Sequence, residues 1–263
     1  PAIASIFAEL RQLSGVPMVA LIFRHLATRP GALEDTWRSL RPAFETGRIQ
    51  STAWWLAESA PSEGLMPRIA PVARAAIGID DDALSRIRLT LDAYNRANPV
   101  NMLAMLCLME RLRLGASPAR PLEPHGPPWS APQPVAGPLP AMTPVAAIPP
   151  SLRRLINDLG FGDRTSPDSV VPSLYRHLTP WPALLGLVHV SLAPAFRNGS
   201  LAFAVETLHA EMRAKAGEIA RSLAPLAAGE ALRSALPTLS RFSSSVIPQM
   251  ILIGFALKHA IAD

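Results

Sequence analysis

The chain repeats itself across a long interval. Residues 23–47, FRHLATRPGALEDTWRSLRPAFETG, and residues 175–199, YRHLTPWPALLGLVHVSLAPAFRNG, agree at 11 of 25 positions with an offset of 152. The agreements include Arg24/Arg176, His25/His177, Pro30/Pro182, Pro42/Pro194, Phe44/Phe196 and Gly47/Gly199. Solenoid repeats recur every 20–50 residues or so, far less than this interval. The pattern predicts a duplicated domain whose halves pack about a pseudo-two-fold axis, with the place where they meet as the natural position of a site.

Proline marks the joint between the halves. Twelve of the 28 prolines lie between Pro118 and Pro150. Proline has no amide hydrogen to give a helix or a sheet, so this stretch reads as an extended linker lying on the surface of the halves. The expected organisation is an N-terminal helical repeat over 1–115, the linker over 116–150 and a C-terminal helical repeat over 151–263. Outside the linker the apolar spacing is helical. Leu84, Ile87, Leu91 and Tyr94 recur at three and four behind acidic Asp80–Asp82, which suits a helix start. Residues 201–222 are rich in strong helix formers. No alternating strand pair or hairpin turn is found. The fold class is therefore all-α, with about five or six helices in each half, punctuated by prolines at 30, 42, 99, 182, 194 and 248.

Composition narrows the partners. The formal charge is +5, and of 25 basic residues only Lys215 and Lys258 are lysines. The arginines are dispersed, with no basic arm and no aromatic platform, which argues against a nucleic-acid partner. The Ala, Pro and Arg bias suits a GC-rich bacterial genome. The one cysteine, Cys107, sits in the apolar run MLAMLCLM and reads as a small buried hydrophobe. Disulfides are thus not expected, and the cytoplasm is favoured. The run MILIGFAL at 250–257 is too short to span a bilayer, so no membrane partner is expected. Gly-rich phosphate loops, paired Cys-x-x-Cys, His-Glu-x-x-His and nucleophile elbows are all missing, so no cofactor and no metal are expected.

Few residues remain as candidates for chemistry. The repeated Arg-His pairs could share a ligand across a dyad, or could simply anchor helix faces. The Pro-Ala-Phe stretches at 42–44 and 194–196 read as packed corners. Asn98 precedes Pro99, which disfavours αR at Asn98 and predicts a helix break whose amide can enter a cavity. Asp168 lies just before the second repeat and serves either as a cap or as a general base.

VPMVALIFRHLATRPGALEDTWR (16–38) and LDAYNRANPVNMLAML (91–106) resemble the group I 2-haloacid dehalogenases, cofactor-free enzymes acting on D- and L-haloacids. The resemblance extends to the order of landmarks, the Pro-rich connection and the Trp181-Pro182 entry to the second half. It implies two similar all-helical halves about a pseudo-dyad, of alkylhydroperoxidase-like half-fold, with an active site between them. The implied reaction is direct attack of an activated water on the halogen-bearing carbon, with inversion. Carried over by position, the water-orienting residue falls on Asn98 and a contact to the substrate carboxylate on Ser173. Pocket-lining positions fall on Met18, Leu21, Leu239 and Phe242. The general base, seven residues before Trp181, falls on Leu174, which cannot take a proton. Either Asp168 replaces it from a displaced loop, or this chain keeps the fold without the reaction and binds a small carboxylate or apolar ligand, or a partner. The homodimer is an admissible assembly.

Overall fold

The computed structural model describes residues 2–120, 133–135, 137–159 and 171–262. Among them are twelve α-helices and no strand. The helices are α1 (Ala2–Ser14), α2 (Leu21–Ala27), α3 (Ala32–Glu45), α4 (Arg48–Ser59), α5 (Pro71–Ala76), α6 (Asp81–Leu114), α7 (Pro150–Leu159), α8 (Ser173–Leu178), α9 (Pro182–Arg197), α10 (Ser200–Ala220), α11 (Glu230–Arg241) and α12 (Ile247–Ala260). Six begin before residue 115 and six from residue 150 onward, which is the class and number that the apolar spacing predicts.

Contacts divide the chain into two compact units that draw on both sequence halves. One comprises Pro1–Ser59, Arg96–Val135 and Thr207–Pro248, and the other Ala60–Asn95, Ala136–Glu206 and Gln249–Asp263. In the first, α3 packs against α1, α2, α4 and α11. Its apolar face supplies Leu33, Leu40 and Phe44, all fully buried, and Trp37 packs against Phe44 with ring centroids 5.2 Å apart and planes tilted by 55° while its indole N–H donates to Glu9. The Gln50 amide closes two loose ends, donating to the Phe44 and Leu13 carbonyls. In the second unit, α9 gathers α7, α8 and the short 3-10 turn Glu63–Leu65. The start of α6 is capped as its sequence predicts: the Asp80 carboxylate accepts the Ala83 amide at 2.8 Å.

Proline does less punctuating than expected. Pro42, Pro99 and Pro194 all lie inside helices. Pro42 and Pro194 sit on exposed faces, and the residues four before them, Arg38 and Val190, are exposed too. Water can therefore satisfy the carbonyls that lose a helical donor. The Pro-Ala-Phe segments are accordingly the last turns of α3 and α9, not corners. The reversal comes after them, at Gly47 (φ 68°) and Gly199 (φ 78°), where the left-handed conformation is accessible to glycine.

At the C-terminal end α11 and α12 are joined by a π-helical turn, Phe242–Val246. Pro248 cannot donate to the preceding turn, and Ser243 and Ser245 turn their hydroxyls back onto the Leu239 and Arg241 carbonyls at 2.8 Å each. A missing donor together with competing hydroxyls gives the helix reason to widen here.

The described parts of the proline-rich stretch are tied down by backbone bonds. Arg120 donates to the Arg221 carbonyl and Val135 to Gly15, both within the first unit. Thr143 donates to the Arg176 carbonyl within the second. Among the described residues no helix is long and apolar enough to cross a membrane.

Candidate functional site

The expected break at Asn98 is not there. Helix α6 runs without interruption from Asp81 to Leu114, and Asn98 lies inside it. The bias against αR before proline is a local preference, and a 34-residue helix buried along much of its length overrides it. What Pro99 does remove is the amide that would have bonded the Asn95 carbonyl one turn back.

This region of α6 carries a polar ladder. Asn95, Asn98 and Asn101 follow at intervals of three, and each is buried to within 4–7% exposure. Neither amide atom of Asn95 has a partner. The side chains of Asn98 and Asn101 form no hydrogen bond with the described residues. Of the three, Asn95 is the one whose amide atoms are both sealed from solvent without a partner, which is costly in an otherwise apolar interior. The spacing is visible in NRANPVN, although only its middle member attracts notice from the proline beside it.

In the first unit a cavity of about 10 Å³ lies beside this ladder, lined by Met18, Ser14, Phe23, Ala97 and Asn101 among others. That is room for one water molecule. Of the pocket positions, Met18 borders this cavity, and Leu21, which opens α2, is 42% exposed. Leu239 is fully buried near the end of α11, and Phe242 begins the π-helical turn. Helix α11 packs against α2 and α3, so the elements bearing these residues share one unit.

Ser173 and Leu174 open α8 in the second unit. Burial pushes the Tyr94 phenol well above its usual range, which the neighbouring Ser173 hydroxyl partly offsets. The Tyr94 ring also meets the His177 ring, with centroids 5.7 Å apart. His177 holds its Nδ1 2.8 Å from the Pro140 carbonyl. Burial lowers its pKa, which the Pro140 bond opposes and Arg176 reinforces. The imidazole is therefore neutral near pH 7, with Nδ1–H donating to Pro140 and a lone pair left on Nε2. Leu174 is 1% exposed. Asp168 lies outside the described residues.

The repeated histidines have diverged in setting. His25 is half-buried and receives Arg29 at 2.8 Å on Nε2, and its pKa falls through burial and then the arginine charge. Among the described residues no group of three or more His, Cys, Asp or Glu is placed to hold a metal ion.

Solved structures share this helical fold. A D-2-haloacid dehalogenase in complex with L-LA superposes with a TM-score of 0.71 at 18% identity, covering 98% of this chain and 90% of that one. A mutant D-2-haloacid dehalogenase gives 0.72 at 18%, covering 99% and 90%, and a mutant complexed with D-2-CPA gives 0.66 at 19%, covering 98% and 90%. The chain has the 2-haloacid dehalogenase fold. A configuration-inverting 2-haloacid dehalogenase from Alcaligenes xylosoxydans xylosoxydans is 33% identical over 111 residues, or 42% of this chain and 37% of that relative. The resemblance to the 2-haloacid dehalogenases therefore stands in sequence as well as in fold. No family model matches the chain.

Proposed function

We propose that this chain is a 2-haloacid dehalogenase-type protein with a site for a small carboxylic acid, in which hydrolysis has been lost with the general base. Within the first unit its residues are Asn98, with Met18, Leu21, Leu239 and Phe242 as apolar lining. The observation that carries this reading is Leu174, apolar and 1% exposed where the resemblance requires a carboxylate. Water attack on a carbon–halogen bond needs a group to remove the proton as the new C–O bond forms and halide departs. A leucine supplies none, while the buried Asn98 amide keeps its hydrogen-bonding capacity for a ligand or a water. Fold alone does not carry an activity whose reacting group is missing.

Halide release from 2-chloropropionate and 2-bromopropionate tests this directly, alongside calorimetric binding of the same acids. Binding without release is the expected result. Release above background that disappears in Asp168→Ala would instead establish hydrolysis by a displaced base. Absence of both binding and release would remove the small-acid site altogether.

A further inference from the structure

The first unit carries a second basin, lined by none of the residues assigned above. It has a volume of about 570 Å³ and is lined by Glu110 and Arg113 of α6 with His209, Ala210, Arg213, Ala214 and Gly217 of α10. The α10 residues recur at intervals of three and four and so form one face. Three of them, Ala210, Ala214 and Gly217, have little or no side chain, which leaves the floor low between the charged groups.

Glu110 organises the basin. Its side chain is only 11% exposed, and its two oxygens take one arginine each: Arg113 Nε at 2.6 Å and Arg213 Nε at 3.5 Å. Both guanidinium groups are therefore engaged through Nε, and no hydrogen bond of their terminal Nη groups is made with the described residues. Two guanidinium charges against one carboxylate leave a net +1. The arginine side chains remain 68% and 62% exposed. The nearby Lys215 is already paired with Glu218, so it adds no further free cation. His209 is half-buried, and its pKa is lowered by burial and then by Arg213, so it is neutral at pH 7 and able to donate one hydrogen bond.

We propose that this basin binds a small oxyanion, held by the outward Nη edges of Arg113 and Arg213, with Glu110 as the residue that orients both forks. Planar forks with paired N–H groups match the oxygens of phosphate and carboxylate, and a second anion relieves the repulsion between two cations that share one carboxylate. The exposure of the arginines sets the strength. Binding should be millimolar and should weaken with salt, because screened surface charges attract modestly. The site does not depend on the dehalogenase reading, since none of its residues enters that one.

The test uses the whole chain at fixed pH and ionic strength, titrated with inorganic phosphate, with malonate, and with chloride as the control. The readout is the His209 ring resonance, together with the His209 pKa. A bound anion should move that resonance saturably and raise the pKa, because negative charge favours the imidazolium. Saturable binding of either oxyanion supports the site, and the tighter of the two names its chemistry. The effect should be lost in Arg113→Gln/Arg213→Gln. It should also be lost in Ala214→Glu, which leaves both arginines in place and puts a carboxylate on the floor. A response equal to that of chloride, or one that persists in Ala214→Glu, overturns the proposal.

Discussion

The Asn95 amide lies against the backbone of Gly254 and fills the space that a β-carbon at 254 would need. Glycine inside a helix ordinarily costs about 1 kcal/mol relative to alanine. Gly254→Ala should therefore stabilise α12 if only the helix mattered. Asn95 is 4% exposed and cannot swing clear, so a loss of about 1–3 kcal/mol is expected instead, the usual range for overpacking. Urea unfolding measures it. The paired variant Asn95→Ala/Gly254→Ala should recover most of the loss, because truncating Asn95 also removes two buried groups without partners. Additive effects would show that the two residues do not oppose one another.

The helical class and the start of α6 were legible because they rest on local rules: apolar spacing and an acidic cap that the Asp80 carboxylate does in fact provide. The prolines misled where burial or exposure outweighed local preference, as at Pro42 on an exposed face and at Asn98 within a long buried helix. The Asn ladder went two-thirds unread, since spacing alone does not tell a buried amide from a surface one. The Tyr94–His177 ring contact joins residues 83 positions apart, and the Glu110 basin joins α6 to α10. Such pairings are set by tertiary packing and leave no mark in either local sequence.

Arg111 is wholly buried and acts as a clamp. Its Nη1 donates to the Leu223 carbonyl at 3.1 Å, and Nη2 donates to Gly115 at 2.7 Å and Ser117 at 3.0 Å. The Gly115 and Ser117 carbonyls follow the C-terminus of α6 and that of Leu223 follows the end of α10, where a helix lacks donors and favours positive charge. Arg111→Met should cost about 3 kcal/mol or more, since it strands several buried acceptors at once. Arg111→Lys keeps the charge but not the fork, and should recover only part of the loss in the same denaturation assay.

Acid should weaken the fold through its histidines. His177, His25 and His209 all have pKa values below the ordinary 6.5 of histidine, with burial the largest cause for each. The unfolded chain therefore binds protons that the folded chain refuses. Their stability contribution is fully present above 6.5 and declines as pH falls below it. Thermal unfolding across this range should show Tm dropping with acidification. His177→Asn places an amide nitrogen where Nδ1 donates to Pro140 and removes the titration, so it should flatten part of that drop. An unchanged slope would assign the effect to other groups.

Leu174→Asp offers the sharpest comparison between the two roles of the site. The new carboxyl replaces a side chain that is 1% exposed, so burial should raise its pKa above the ordinary carboxylate range. Stability should fall by about 2–3 kcal/mol at neutral pH, the cost of burying a polar group with poor pairing. If the rest of the site is intact, halide release from 2-chloropropionate should appear where the wild-type chain gives none. Only the ionised carboxylate is a base, so the rate should climb with pH through the raised pKa instead of levelling off near pH 5. Leu174→Asn has the same size and no basic oxygen, and should stay inactive at every pH. Release by the asparagine variant, or by neither variant despite retained binding, would show that Leu174 is not where the base is missing.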